Sequence, residues 1–218
     1  MSGLTERWRA RTPEEAARRR FGLWAFAALV VLLPVWWVWG ADLMAAALRP
    51  VVALMLIPFG FTGQIERLAD GGWSVGTHLT QGGTAMNYTI SADTLRRLLL
   101  SVPMTIAFMI APPRPPRLWR AAAISLIVVS LVFALSLVAV LWGQIAPMLD
   151  PNLASATMVV TQRPDQAALN PFAAQIALIG RYVALSIAPL LTAILLWATL
   201  NPAGLRALIG EIKEDGQT

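Results

Sequence analysis

His78 is the chain's only histidine, and no cysteine accompanies it. A zinc site needs several nitrogen, sulfur or carboxylate ligands at short spacings. The nearest carboxylates, Glu66 and Asp70, fall at no such spacing, and a Ser-His-Asp machine would depend on the same single imidazole. His78 therefore reads as a solvated or hydrogen-bonded strand residue. Ser74 and Ser91 would serve as nucleophiles only beside an activating base, and no G-x-S-x-G turn is present. Gly71-Gly72 and Gly82-Gly83 do not precede a Lys-Ser/Thr pair or open a phosphate-binding helix, so they read as turns. Asn87-Tyr88-Thr89 fits the glycosylation sequon, a three-residue pattern that matters only in a glycosylating pathway. The expectation is a chain that is not an enzyme and takes no metal and no cofactor.

The charged residues are more informative. Asp42, Arg49, Glu66, Asp93, Arg96, Arg97 and Arg181 all stand beside or within apolar stretches, where a charge pairs, reaches for a headgroup or serves a function. Lipid-phosphate contact is the simpler expectation. The sharper one is that Arg181 pairs with Asp42 or Asp93 and fastens the polar segment between them to the helices.

The surroundings of these charges are those of a membrane protein. The chain is 57% apolar and 13% charged, against about a quarter charged in soluble domains. Its net charge of +5 comes from arginines beside apolar blocks, not from a basic face with interleaved aromatics, so nucleic acid is not an expected partner. The lipid bilayer and a membrane protein are.

The pattern predicts an all-α polytopic membrane protein of about four transmembrane helices and an interfacial helix, with a small extracytoplasmic β-meander. Residues 1–20 form a basic cytoplasmic tail. The block from Phe21 to Trp39 suits a first span (21–40), close to the ~20 residues a crossing needs, and it ends in Trp36, Trp37 and Trp39 instead of a signal-peptide cleavage site. Residues 41–61 stay apolar but carry Asp42, Arg49 and Pro50, which suggests an interfacial or re-entrant helix. Alternation and glycine breaks over residues 62–94 predict two or three short strands. Residues 95–111 form a second span, 112–120 a cytoplasmic Pro/Arg loop and 121–142 a third span. An outer loop covers 143–170, where Met158–Thr161 could add a strand. The fourth span lies in 171–200, with Arg181 at the outer interface, and 201–218 is a cytoplasmic tail. Eleven of the 17 Lys and Arg residues fall inside on this scheme, as a bacterial inner-membrane protein with both termini in the cytoplasm requires. Pro34, Pro103 and Pro189 should kink their helices. Small residues such as Ala25, Ser125, Ala134 and Ala184 should let helices approach closely.

The order of parts resembles the exosortase H-associated membrane proteins. The resemblance rests on the Trp-rich first span, the Pro50 segment, Tyr88-Thr89-Ile90-Ser91-Ala92-Asp93 leading into a Pro-containing span, and Leu178-Ile179-Gly180-Arg181-Tyr182. Ala188-Pro189-Leu190-Leu191 and Leu196-Trp197-Ala198-Thr199-Leu200-Asn201 complete it. It implies a small accessory protein beside a membrane transpeptidase that processes C-terminal sorting signals. Exosortases are described by a Cys, Arg and His set, so a chain without cysteine is not itself the transpeptidase. A structural subunit of a secretion, conjugation or pilus assembly, and a small transporter or lipid-handling protein, are the alternatives from other classes.

Overall fold

Thr12 begins the first helix. Its backbone is extended and its Oγ1 accepts the Glu15 N–H at 3.2 Å, while Pro13 takes the first turn, where a missing N–H costs nothing. The structure, a computed structural model, describes residues 12–81, 84–149 and 171–209. Helix α1 runs without a break from Pro13–Phe59, 47 residues, through a π-helical segment at Trp36–Gly40 and a closing 3-10 turn at Ile57–Phe59. At 1.5 Å per residue it is about 70 Å long, more than twice a hydrocarbon core of ~30 Å.

The expected boundary between a first span and a separate element at 41–61 is therefore absent. Gly40 does not break the helix. A Cβ there would lie 2.5 Å from Cε3 of Trp36, so the glycine makes room for an indole. Pro34 and Pro50 each withhold one donor without ending the helix. The end comes at Gly60, whose φ of 88° is open to glycine at little cost.

The strands follow where alternation and glycine breaks suggested them: β1 (Phe61–Arg67), β2 (Trp73–Gln81) and β3 (Thr84–Ile90), an antiparallel sheet in the order β1-β2-β3. Between β1 and β2, Asp70 Oδ1 accepts the Gly72 N–H at 2.9 Å and Gly71 takes φ 84°, so Asp70 forms a turn and has no chemical task there. Arg67 pairs with Trp73 and Trp73 with Ile90, while Val75 lies between Ile65 and Tyr88. Residues directly opposite share a face. One face thus carries Trp73, Val75, Ile65 and Ile90, and the other Glu66, Ser74 and Thr89.

The apolar face packs on helices. Trp73 and Val75 join Val52 and Leu56 of α1 and Phe133, Leu137 and Leu141 of α4 (Leu118–Leu149) in one core. Trp73 meets Phe133 edge-on at 6.0 Å, and Phe61 meets Trp142 likewise. Each such pair adds about 1 kcal/mol beyond its buried area. Trp142 Nε1 also donates to the Phe59 carbonyl at 3.1 Å.

After the sheet come two short helices, α2 (Ala92–Leu98) and α3 (Ser101–Ile110). This corrects the continuous span expected at 95–111. Leu98 and Leu99 are both buried, and tighter bonds from Leu100 N–H to Arg97 and from Val102 N–H to Leu99 replace the α-helical ladder. Then α5 (Pro171–Ser186) and α6 (Ala188–Leu200) bend by 61° at the junction that Pro189 marks, and α7 (Pro202–Ile209) follows.

Among the described residues, α1 and α4 are each long and apolar enough to cross a membrane, and α5 with α6 makes a third span if the bent pair is one. Four spans were expected from the sequence. Few residues of the apolar stretch of α1 are buried, 6%, against 50% for that of α4, so α4 is the central helix and α1 presents its side chains outward. The possible strand at Met158–Thr161 lies outside the described residues.

Distant segments meet at one end. Arg18 Nε donates to the Leu208 carbonyl, and Arg18 Nη2 donates to Ile209 at 3.0 Å. Asn201 Nδ2 reaches the Pro113 carbonyl at 2.6 Å, and Phe21 lies 4.9 Å from the Trp197 ring. The start of α1, the Pro/Arg loop and α7 thus share this end.

Candidate interaction site where the sheet meets the helices

Helix α2 begins at Ser91, whose Oγ accepts the Thr94 N–H at 3.3 Å. That cap directs Arg96 back toward α1. Arg96 Nε and Nη2 donate to Asp42 Oδ1 and Oδ2 at 3.3 and 3.2 Å, a two-pronged ion pair across 54 residues. The turn at Gly71 lies against the same carboxylate. One ion pair therefore joins the long helix, the β1–β2 turn and α2.

Arg97 pairs with Asp93 one turn earlier on the same helix, at 2.8 Å. Arg181 consequently has neither acidic partner expected for it: Asp42 and Asp93 are both engaged by the Arg96-Arg97 pair. A sequence shows charges at similar depth but not which arginine a helix cap aims at which carboxylate. Arg49 and Glu66 are exposed and form no ion pair among the described residues. The seven charged residues thus form two pairs, two solitary charges and Arg181.

Arg181 is half-buried on α5, with its Cβ close to Gly143 of α4, and its charge acts on Tyr88 of β3. Burial pushes the Tyr88 phenol above its ordinary pKa, and the guanidinium partly offsets this by favouring the phenolate. The folded chain therefore keeps a proton that the unfolded chain releases. Stability is full below the ordinary phenol pKa and is lost as pH rises through the raised one. In a Tyr182→Phe background Tyr88 is the only remaining tyrosine. Its phenolate absorbance should develop above the ordinary tyrosine range, and higher still with Arg181→Gln.

The Asp42–Arg96 pair is about a quarter exposed on each side, at 30% and 25%, so solvent screens it. Asp42→Ala should cost about 1 kcal/mol, read from thermal unfolding in detergent. A double-mutant cycle with Arg96→Ala should recover most of that as coupling.

His78 stands in β2, and among the described residues no group of three His, Asp or Glu could hold a metal. Three features were not anticipated from the sequence: the Tyr88–Arg181 proximity, the close approach at Gly143 and the Asn201–Pro113 bond. Gly143 offered a signal, since a glycine within an apolar helix often marks close helix contact.

Two long apolar helices, a bent third and a small sheet seated on them through one ion pair and a buried aromatic face define a helical membrane protein with a compact polar appendage. The chain belongs to the exosortase H-associated membrane proteins, whose family model matches residues 15–204. No curated protein and no solved structure matches it.

Proposed function

We propose that the chain is a non-catalytic accessory subunit of a bacterial envelope protein-sorting system, working beside an exosortase in the inner membrane. The observation that carries this reading is the family match over residues 15–204. The geometry supports it in two ways. The sheet turns Glu66 and Thr89, both exposed, away from the helices, and among the described residues its outer strands β1 and β3 each have a strand neighbour on one side only. Such open edges can be met by a partner. Helix α1 leaves Trp24, Phe26, Val31 and Trp39 exposed, a surface for lipid or for the span of another membrane protein.

In this reading the α1 start, the Pro/Arg loop and α7 lie in the cytoplasm, and the sheet lies outside. Arg18, Arg114, Arg117, Arg120 and Arg206 gather at the first end, in the sense of the positive-inside bias. The return passage between sheet and loop is made by the broken α2–α3 pair, and the last by the bent α5–α6 pair.

The test uses a photo-crosslinking side chain at Asn87, exposed on β3, or at Trp119, exposed at the opposite end, in cells carrying a tagged exosortase. The expected result is an exosortase adduct from Asn87 and impaired C-terminal processing when the chain is deleted. Normal processing after deletion, with no adduct from either position, would overturn the proposal.

A further inference from the structure

At the end opposite the sheet, the first turns of α4 and the α6–α7 junction enclose a cleft of ≈ 380 Å³. Arg117, Arg120 and Arg206 line it, with Ile124, Leu200 and Pro202 among its apolar walls, and among the described residues no carboxylate does. We infer that this cleft binds the phosphate of an anionic phospholipid headgroup.

Three observations carry the inference. First, among the described residues none of the three arginines forms an ion pair, and Arg206 Nε donates to the Pro202 carbonyl at 3.5 Å, so three guanidinium groups line one cleft with no carboxylate partner among those residues. Such a set takes a phosphate oxyanion, because guanidinium presents paired donors to phosphate oxygens. Second, the cleft is built by a specific device. Asn201 is fully buried between α6 and α7. Its Nδ2 holds the Pro113 carbonyl at 2.6 Å, and its Oδ1 accepts the Gly204 N–H at 3.1 Å, the N-terminal cap of α7. Those two hydrogen bonds fasten the loop that precedes Arg117 and Arg120 to the start of the helix that carries Arg206.

Third, the setting selects a lipid over a free anion. The apolar walls belong to α4, which is long and apolar enough to cross a membrane, and to α6. Trp119, 87% exposed on the same first turn of α4 and lining the neighbouring groove, suits the headgroup zone where indoles anchor. A headgroup phosphate held there would have its acyl chains along α4, next to a wholly apolar groove of ≈ 330 Å³ between α3 and α4. The inference requires a membrane protein and does not rest on the accessory role. Sorting assays therefore bear on that role alone.

The experiment is native mass spectrometry of the delipidated full chain in neutral detergent, offered phosphatidylglycerol or phosphatidylcholine with identical acyl chains. The wild type should retain phosphatidylglycerol preferentially. Arg117→Gln, Arg120→Gln and Arg206→Gln should each weaken that preference about fivefold, and the triple variant should lose it. Triple substitution by Lys, which keeps the charge but loses the paired donors, should retain more of it than the triple Gln variant and less than the wild type, and Arg49→Gln with Arg67→Gln, near the sheet, should leave it unchanged. An undiminished preference in the triple Gln variant would overturn the inference, as would a Lys variant no better than the triple Gln variant or equal loss in the Arg49/Arg67 variant. Displacement of phosphatidylglycerol by millimolar inorganic phosphate would reassign the cleft to a free anion and overturn the lipid.

Discussion

Gly143→Ala should destabilise the chain by about 2 kcal/mol, although alanine is the better helix former by about 1 kcal/mol. The added Cβ would lie 2.5 Å from the Arg181 Cβ and 2.7 Å from the Ala177 carbonyl oxygen. Neither is the free end of a flexible side chain, so relief requires α4 and α5 to separate. Separation would draw Arg181 away from Tyr88 and loosen the sheet from the bundle. The informative control is Gly180→Ala on the facing helix. Its Cβ would meet only the Ala139 Cβ at 3.7 Å, an ordinary contact. That variant should be neutral or more stable by up to about 1 kcal/mol. Unfolding in mild detergent, followed by circular dichroism, reads both. Equal effects at the two glycines would show that close approach at Gly143 is not what joins these helices.

Asn201→Ala should cost about 3 kcal/mol. The side chain is fully buried and makes one bond as donor to Pro113 and one as acceptor from Gly204. Alanine leaves the buried Gly204 N–H and the part-buried Pro113 carbonyl each without this bond, and the desolvation of the Gly204 amide counts in full. Asn201→Asp separates the contributions, because a carboxylate can still accept from Gly204 but has no hydrogen to donate to Pro113. It should retain the α7 cap while freeing the loop. Protease cleavage after Arg117 should then accelerate in both variants, and loss of α7 helicity should be confined to Asn201→Ala. Unchanged cleavage in both would remove the loop-fastening role.

The parts of the fold that were legible are those set by local chemistry. Gly71, Asp70 and the alternation around Trp73 and Val75 announce strands and a turn, and an uncharged apolar run announces α4. Less legible was anything decided by what lies opposite. Residues 41–61 read as a separate element because they carry Asp42, Arg49 and Pro50, yet α1 runs unbroken through them, with Gly40 accommodating the Trp36 indole. Residues 95–111 read as one span because hydropathy is blind to Leu98 and Leu99 both turning into a core formed with a distant sheet.

The candidate site shows the same division. Arg96, Arg97, Asp42, Asp93 and Arg181 stood out as charges in apolar surroundings, and their pairing depended on the Ser91 cap aiming α2. Arg117, Arg120 and Arg206 stood out only as topology markers. Their convergence is produced by Asn201, one residue that bonds to a carbonyl 88 positions away, and no local pattern encodes that contact.

The most direct measurement is thiol labelling in intact cells and in opened membranes, which the absence of native cysteine makes free of background. Asn87→Cys reports the exposed side of β3, and Arg114→Cys reports the Pro/Arg loop at the other end. An impermeant reagent should label Asn87→Cys in intact cells and Arg114→Cys only after the membrane is opened, leaving the sheet outside for a partner and the arginine cleft facing the cytoplasmic leaflet. Labelling of Arg114→Cys in intact cells with protection of Asn87→Cys would invert the molecule and contradict the account.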